Sequence, residues 1–113
     1  MADCLFCSIV AGDIPADIVL ANDDVIAFRD IAPQAPTHVL VIPRAHHANV
    51  GELAMDAPDA TAAVLAAAKQ VAEAEGIGDA YRLVFNTGEG AGQTVFHVHA
   101  HVLGGRDLEW PPG

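Results

Sequence analysis

Basic residues are scarce in this chain of 113 residues: five lysines and arginines stand against fifteen aspartates and glutamates, for a net charge of −10. Proteins that bind nucleic-acid backbone neutralise its phosphates with Lys and Arg, so this balance argues against nucleic acid as a partner. A small phosphorylated ligand remains open, because a local group of hydrogen-bond donors can hold one. We therefore expect a small-molecule partner.

Long apolar runs are also missing. No stretch approaches the roughly 20 apolar residues that cross a bilayer, and the N-terminal residues lack a basic segment followed by an apolar one. Apolar residues nevertheless make up 52% of the chain, without a repeat or a low-complexity tract. These features predict a single folded domain over residues 1–113 that is cytoplasmic and has no membrane partner.

Cysteine is limited to Cys4 and Cys7. A disulfide between residues so close in sequence would add little stability, and the cytoplasm would keep it reduced. The C-x-x-C spacing is typical of a metal clip or of a redox pair. The redox form usually accompanies a β-α-β pattern, which this sequence does not show.

Short strands and one long helix are predicted along the chain. The long helix runs from Pro58 to Glu75, with Asp56 as its cap and Gly76 at its end, and a short helix or turn covers 4–12. Strands are predicted at 17–22, 25–30, 38–43, 81–86 and 95–103. Because crossover helices between strands are absent, we expect an α+β fold, with an antiparallel sheet of about five strands and helical cover on one face.

Three of the six histidines alternate in the last predicted strand: His97, His99 and His101. Alternate residues of a strand face the same side, with neighbours roughly 6.6 Å apart. Three histidines on a straight strand cannot easily reach one metal ion, so the spacing favours separate roles. A neutral imidazole can attack phosphorus while a second one passes a proton. The preceding loop "GEGAGQT" (88–94) offers backbone amides for phosphate oxygens.

These residues resemble the histidine triad (HIT) family. "HVHAHVL" (97–103) matches its signature His-φ-His-φ-His-φ-φ, where φ is hydrophobic. "FRDIAPQAPTHVLVIPRAH", "NTGEGAGQTVFHVHAHVLGGR" and the terminal "WPPG" are similar to the Hint branch of that family. The resemblance implies a purine nucleoside phosphoramidase that hydrolyses the P–N bond of nucleoside 5′-phosphoramidates. It also implies a homodimer in which two antiparallel sheets join into one larger sheet.

The resemblance also assigns site residues. His99 matches the nucleophile that forms a nucleotidyl-histidine, and His101 and His38 match supporting histidines that bind phosphate or relay protons. Thr94 keeps a hydroxyl where many relatives have serine. Asp30 would take the ribose hydroxyls, and Trp110 would approach the partner's site. The matched nucleotide-binding set is Phe6, Phe28, Asp30, Ile31, Asn86, Gly92, Gln93, Thr94, His99, His101 and Trp110. Taken singly, Phe6, Phe28 and Ile31 are better explained as core residues, and a turn-forming role is the alternative for Asp30.

Many bacterial members of this family complete a zinc site with two histidines that match His46 and His97. The resemblance thus implies a structural zinc on Cys4, Cys7, His46 and His97, with no metal required for catalysis. His47 is an alternative ligand to His46, and reduced cysteines without a bound metal remain a second alternative to the zinc site.

Two other functions remain open. One is hydrolysis of dinucleoside polyphosphates, as in the Fhit branch, although the "WPPG" ending favours Hint. The other is a nucleotide-binding regulatory or interaction protein whose hydrolysis is incidental.

Overall fold

An antiparallel sheet with the strand order β1-β2-β3-β5-β4 forms the centre of the computed structural model, which describes residues 4–113. The strands are β1 (Ile18–Ala21), β2 (Val25–Arg29), β3 (Thr37–Pro43), β4 (Tyr81–Val84) and β5 (Ala100–Gly104). The helices are α1 (Leu5–Ala11), α2 (Val50–Asp56) and α3 (Pro58–Ala74). The predicted α+β class with a five-stranded antiparallel sheet is confirmed.

Both faces of the central strands are covered. All seven residues of β3 are buried, as its nearly continuous apolar sequence predicts. On one face, Val39 and Val41 pack with α3 residues such as Val64 and Val71 in the main core. On the other, Leu40 and Ile42 pack with Phe6 and Ile9 of α1. The prediction of helical cover on one face is therefore wrong, because α1 buries its own apolar side on the opposite face.

Helix α2 was not predicted, and its presence changes the start of α3. Asp56 is the last residue of α2, so its prediction as the cap of α3 is wrong. Ala57 occupies that cap position, and Pro58 begins α3. A local signal for α2 exists: the Asn49 side chain accepts from the Glu52 amide at 2.9 Å, as a helix cap does.

The last strand is shorter than predicted. Strand β5 begins at Ala100, so His97 and His99 precede it in an irregular segment and only His101 lies within it. The amide of Val98 donates to the carbonyl of His47 at 2.7 Å, outside the sheet. The prediction of a strand from 95 is wrong because this contact takes the backbone away from the sheet ladder.

Within residues 4–113, every helix falls short of the length and apolarity needed to cross a membrane.

Candidate active site and metal centre

His99 is a buried imidazole with a defined tautomer. Its Nδ1 lies 2.8 Å from the carbonyl oxygen of His97, and a carbonyl can only accept. Nδ1 therefore carries the hydrogen, and the lone pair is on Nε2. Burial lowers the pKa of His99, against smaller opposing effects from this hydrogen bond and from Asp30. The ring is thus neutral near pH 7 and has a nucleophilic nitrogen available.

His38 and His101 form a second, directly bonded pair beside it. Nε2 of His38 lies 2.9 Å from Nδ1 of His101, across strands β3 and β5. The rings of His99 and His101 have their centroids 4.9 Å apart. Burial, followed by repulsion from His99 and His38, lowers the pKa of His101 to about 4. Burial also lowers the pKa of His38, so three neutral imidazoles stand together near pH 7.

A cavity of about 600 Å³ opens on His99 and His101. Most of its lining residues are apolar, and the polar ones are Asp17, Arg29, Asp30, Thr94, His99 and His101. Phe6 of α1 meets the ring of His99 edge to face at 5.1 Å and that of Phe28 at 5.4 Å. An apolar slot with a few polar groups at hand is the usual form of a small-molecule site.

The cavity also collects the predicted ribose and base residues. Asp30, Ile31, Phe6 and Phe28 all line it. Ile31 is fully exposed, at 101% of its reference area, so in this chain it forms a rim rather than part of the core. The Asp30 carboxylate accepts from the amide of Ala32 at 2.8 Å and directs its other oxygen to within 3.4 Å of Nε2 of His38.

Other predicted nucleotide residues lie elsewhere. Gln93 is buried: its Nε2 donates to the carbonyls of Ala48 and Val95, and its Oε1 accepts from the amide of Gly88. Its side chain therefore braces the glycine loop. Asn86 lies against Gly92, outside the cavity wall described for residues 4–113. Trp110 is 81% exposed and likewise outside that wall.

The glycine loop makes more internal hydrogen bonds than its sequence indicates. A short 3-10 turn covers Glu89–Ala91. The amides of Gly88, Ala91, Gly92 and Gln93 all donate to acceptors within the loop. Because these four amides already have acceptors within the loop, they are not available for the phosphate oxygens that the glycine-rich sequence predicted.

A second cluster, of two cysteines and two histidines, lies at the start of α1. One ligand atom from each of Cys4, Cys7, His46 and His97 lies within 4.8 Å of every other. The Nδ1 atom of His97 is 3.4 Å from Sγ of Cys4 and 3.5 Å from that of Cys7, and Nδ1 of His46 is 3.5 Å from Sγ of Cys7. In a tetrahedral zinc site, bonds of about 2.3 Å to sulfur and 2.0–2.1 Å to nitrogen separate these ligand atoms by about 3.5 Å.

The orientation of His97 also suits a metal ligand. Its Nε2 lies 2.9 Å from the carbonyl of Pro43, which fixes the hydrogen on Nε2 and leaves the Nδ1 lone pair facing the thiols. Metal-binding histidines are commonly held in this way through their second nitrogen. Within residues 4–113, His46 belongs to this cluster and His47 does not. The four residues therefore fit a closed, thiophilic metal site.

Sequence reasoning did not find several backbone groups that orient these histidine rings. The carbonyls of Pro43 and His97 orient His97 and His99, and the amide of Gln34 contacts His38. It also missed Leu5 and Ile9, which line the cavity with Phe6. The helical spacing of these apolar residues around the cysteines was the available signal for that wall.

Comparison with known proteins identifies the family. The model of the HIT domain matches residues 11–108 of this chain. The chain belongs to the HIT family. An uncharacterized HIT-like protein from Synechococcus elongatus is 49% identical over 111 residues, which cover 98% of this chain and 97% of that protein.

Solved structures of HIT proteins superpose closely on this one. A HIT family hydrolase from Legionella pneumophila has a TM-score of 0.94 and 50% identity, and the match covers 98% of this chain and all of that one. A HIT family hydrolase from Clostridium thermocellum has a TM-score of 0.92 and 44% identity over 96% of each chain. These matches establish the HIT fold for the chain.

Proposed function

We propose that this HIT protein is a nucleotide hydrolase that cleaves the P–N bond of purine nucleoside 5′-phosphoramidates. The observation that carries the proposal is the orientation of His99: its Nδ1–H is held by a backbone carbonyl, and its ring lines a largely apolar cavity. The similarity to HIT family hydrolases from two bacteria supports the reaction class. The sequence resemblance to the Hint branch supports the choice of the P–N bond.

In the first step, the lone pair on Nε2 of His99 attacks the α-phosphorus. The P–N bond breaks, and its electron pair stays on the leaving nitrogen, which takes a proton from solvent. Thr94 lines the same cavity, and its hydroxyl would pass that proton on. The His97 carbonyl then stabilises the positive charge on the modified imidazole through Nδ1–H.

In the second step, water attacks the phosphorus of the nucleotidyl-histidine. The P–Nε2 bond breaks, His99 regains its lone pair, and one proton returns to solvent. The products are a nucleoside monophosphate and an amine, so the overall reaction consumes one water. Forming and then hydrolysing a covalent intermediate divides one difficult step into two easier ones.

Asp30 and the aromatic wall account for the nucleoside part of the substrate. A carboxylate can accept from two ribose hydroxyls, and Phe6 and Phe28 offer apolar faces to a flat purine. Because the Ala32 amide already occupies one Asp30 oxygen, the ribose would bond mainly to the other.

We further propose that the thiol cluster binds one structural zinc ion per chain. Cys4, Cys7, His46 and His97 would supply four protein ligands, which leaves no position for substrate. The ion would hold α1 against the segment that carries the triad.

A homodimer is also proposed. Strand β4 lies at one edge of the sheet and is only half-buried, so its outer edge can pair with a second copy. Such pairing would join two sheets into one and would bring the exposed Trp110 toward a partner. Light scattering coupled to size-exclusion chromatography tests this proposal, and a monomer at all concentrations would contradict it.

The function is tested with two substrates, adenosine 5′-phosphoramidate and a diadenosine polyphosphate. We expect turnover of the first with release of AMP. We also expect a loss of roughly 10³-fold or more in His99→Ala, because the nucleophile is removed. Mass spectrometry at alkaline pH during turnover should find the nucleotidyl group on the peptide that contains His99.

The alternatives give different results in the same assay. Preferred cleavage of the polyphosphate would assign the Fhit-type reaction. AMP binding without turnover of either substrate would leave a nucleotide-binding protein.

A further inference from the structure

The His38–His101 pair is capped at its outer end by a backbone amide. The amide of Gln34 donates to Nδ1 of His38 at 3.0 Å. A nitrogen that accepts this bond cannot carry a hydrogen, so the hydrogen of neutral His38 is on Nε2. Nε2 faces two acceptors, Nδ1 of His101 at 2.9 Å and a carboxylate oxygen of Asp30 at 3.4 Å.

The same reasoning continues into His101. Because Nδ1 of His101 accepts from His38, the hydrogen of neutral His101 is on Nε2. That Nε2 atom is buried and has no hydrogen-bond partner among the described residues. His101 lines the cavity beside His99. This donor has no acceptor within the described chain, so it can donate to an oxygen of a ligand bound in the cavity.

The number of ring N–H hydrogens sets the charge of the His38–His101 pair. One hydrogen lies between the two rings and one lies on Nε2 of His101, while the Gln34 amide occupies the fourth nitrogen. This arrangement leaves no position for a third hydrogen. Both rings are therefore neutral in this geometry, and giving up a proton would leave the pair with a negative charge.

We propose that the Gln34 amide is a positioning group that locks His38 and His101 as a neutral unit, whose fixed N–H donates a hydrogen bond to a phosphoryl oxygen. The pair then stabilises charge on the phosphate rather than relaying protons to the leaving group. This catalytic consequence rests on the proposed function. The locked tautomers are a property of the chain itself.

Arg106 anchors the loop that carries the cap. Its Nη2 donates to the carbonyl of Gln34 at 3.0 Å, and the side-chain amide of Gln34 donates to the carbonyl of Ala32 at 3.0 Å. Pro33 and Pro36 restrict the backbone on either side of Gln34. Arg106 lies two residues beyond the end of β5, so the segment that follows the strand of His101 also holds the loop that sets its tautomer.

The tautomers are read directly from two-dimensional ¹H–¹⁵N spectra of protein labelled with ¹⁵N-histidine, which distinguish protonated from unprotonated ring nitrogens. Spectra of His38→Gln and His101→Gln assign the two rings. At pH 7 we expect both rings in the Nε2–H form, with and without AMP. An Nδ1–H form of His38, or a doubly protonated ring of either residue in the AMP complex, would overturn the proposal.

Variants at position 34 separate the amide from the side chain. Gln34→Pro removes the N–H, whereas Gln34→Ala keeps it. In Gln34→Pro we expect mixed tautomers at His38 and a fall in kcat of about 10-fold with less change in KM, because one preset donor to the transition state is lost. We expect Gln34→Ala to keep the wild-type tautomers. Equal spectra for the two variants would refute the role of the amide.

Arg106→Ala provides a second route if the proline variant does not fold. It should shift part of the His38 population to the Nδ1–H form and lower kcat by a few fold. Arg106→Lys should partly restore both the Nε2–H form of His38 and kcat. Arg44→Ala is the matched control, because Nε of Arg44 also donates to a loop carbonyl, that of Asn22. A wild-type tautomer pattern in Arg106→Ala would refute the anchoring role.

Absence of phosphoramidate turnover in the wild type would refute the proposed function. The spectra would still decide whether the tautomers of His38 and His101 are locked.

Discussion

The Nδ1 atom of His99 lies 2.8 Å from the carbonyl oxygen of His97, and the ring of His97 faces the thiols of Cys4 and Cys7. One residue thus belongs to both centres: its backbone sets the tautomer of the proposed nucleophile, and its side chain belongs to the thiol cluster. Helix α1 links the same two centres, because Cys4 and Cys7 flank Phe6, which contacts His99. The proposed metal would therefore support the nucleotide site without touching the substrate.

Replacement of one cluster histidine should abolish metal binding while replacement of its neighbour should not. We expect about one zinc ion per chain in the wild type and in His47→Ala, and much less in His46→Ala, which loses one of four ligands. Metal analysis and the thiolate-to-cobalt absorption band after Co²⁺ substitution provide the measurements. Equal metal content in the two variants, or none in the wild type, would contradict the site.

Loss of the metal should also weaken nucleotide binding. In His46→Ala we expect the Kd for AMP to rise about fivefold or more, close to 1 kcal/mol, because α1 is released and with it the Phe6 wall of the cavity. Titration calorimetry measures the change, and His47→Ala is the control. An unchanged Kd in metal-free His46→Ala would mean that α1 is held in place by its apolar contacts alone.

Asp30 should be coupled to the ribose of the substrate. A hydrogen bond from a sugar hydroxyl to a carboxylate contributes about 1.5–3 kcal/mol, so removing the 2′-hydroxyl should lower kcat/KM of the wild type by roughly 10-fold or more. In Asp30→Asn, the same change of substrate should cost much less, because the charged acceptor has already been lost. Steady-state kinetics with both sugars completes this cycle. Additive losses would argue that Asp30 serves only the loop at Ala32 and the contact to His38.

Acid should destabilise the fold through His101. Its pKa is about 4 in the folded chain against 6.5 for the unperturbed group, so the unfolded state binds more protons between these values. Stability contributed by neutral His101 is therefore present above pH 6.5 and is lost as the pH falls toward 4. The loss is on the order of 3 kcal/mol, since one pKa unit corresponds to about 1.4 kcal/mol.

Urea denaturation of the wild type and of His101→Gln at pH 7.5, 6 and 5 tests this prediction. The wild type should lose more stability than the variant over this range. Loss of metal and protonation of the other histidines affect both proteins, so the difference between them isolates His101. Parallel stability curves would show that His101 is not responsible.

The order of elements was largely predictable from local patterns. The nearly continuous apolar run from His38 to Pro43 marks a strand buried on both faces, and the alanine-rich segment from Pro58 marks the long helix. The signature "HVHAHVL" was sufficient to indicate the family, which the HIT model confirms. Helix α2 was missed because its signal is a single cap, Asn49, over a short and weakly periodic segment.

The sequence by itself thus indicated the five strands, the first helix and the long helix, and it determined the family and the residue types available for chemistry. The tertiary structure decided which ring nitrogen carries the hydrogen in His38, His97, His99 and His101. For His97 and His101 the contacts responsible join distant parts of the chain, to the Pro43 carbonyl and to His38. For His99 and His38 they are backbone groups close in sequence, the His97 carbonyl and the Gln34 amide, which the irregular fold of their segments turns toward the ring. Local periodicity reports only which way a side chain points along one strand or helix, whereas a histidine's tautomer depends on the donor or acceptor that the folded chain places against its ring.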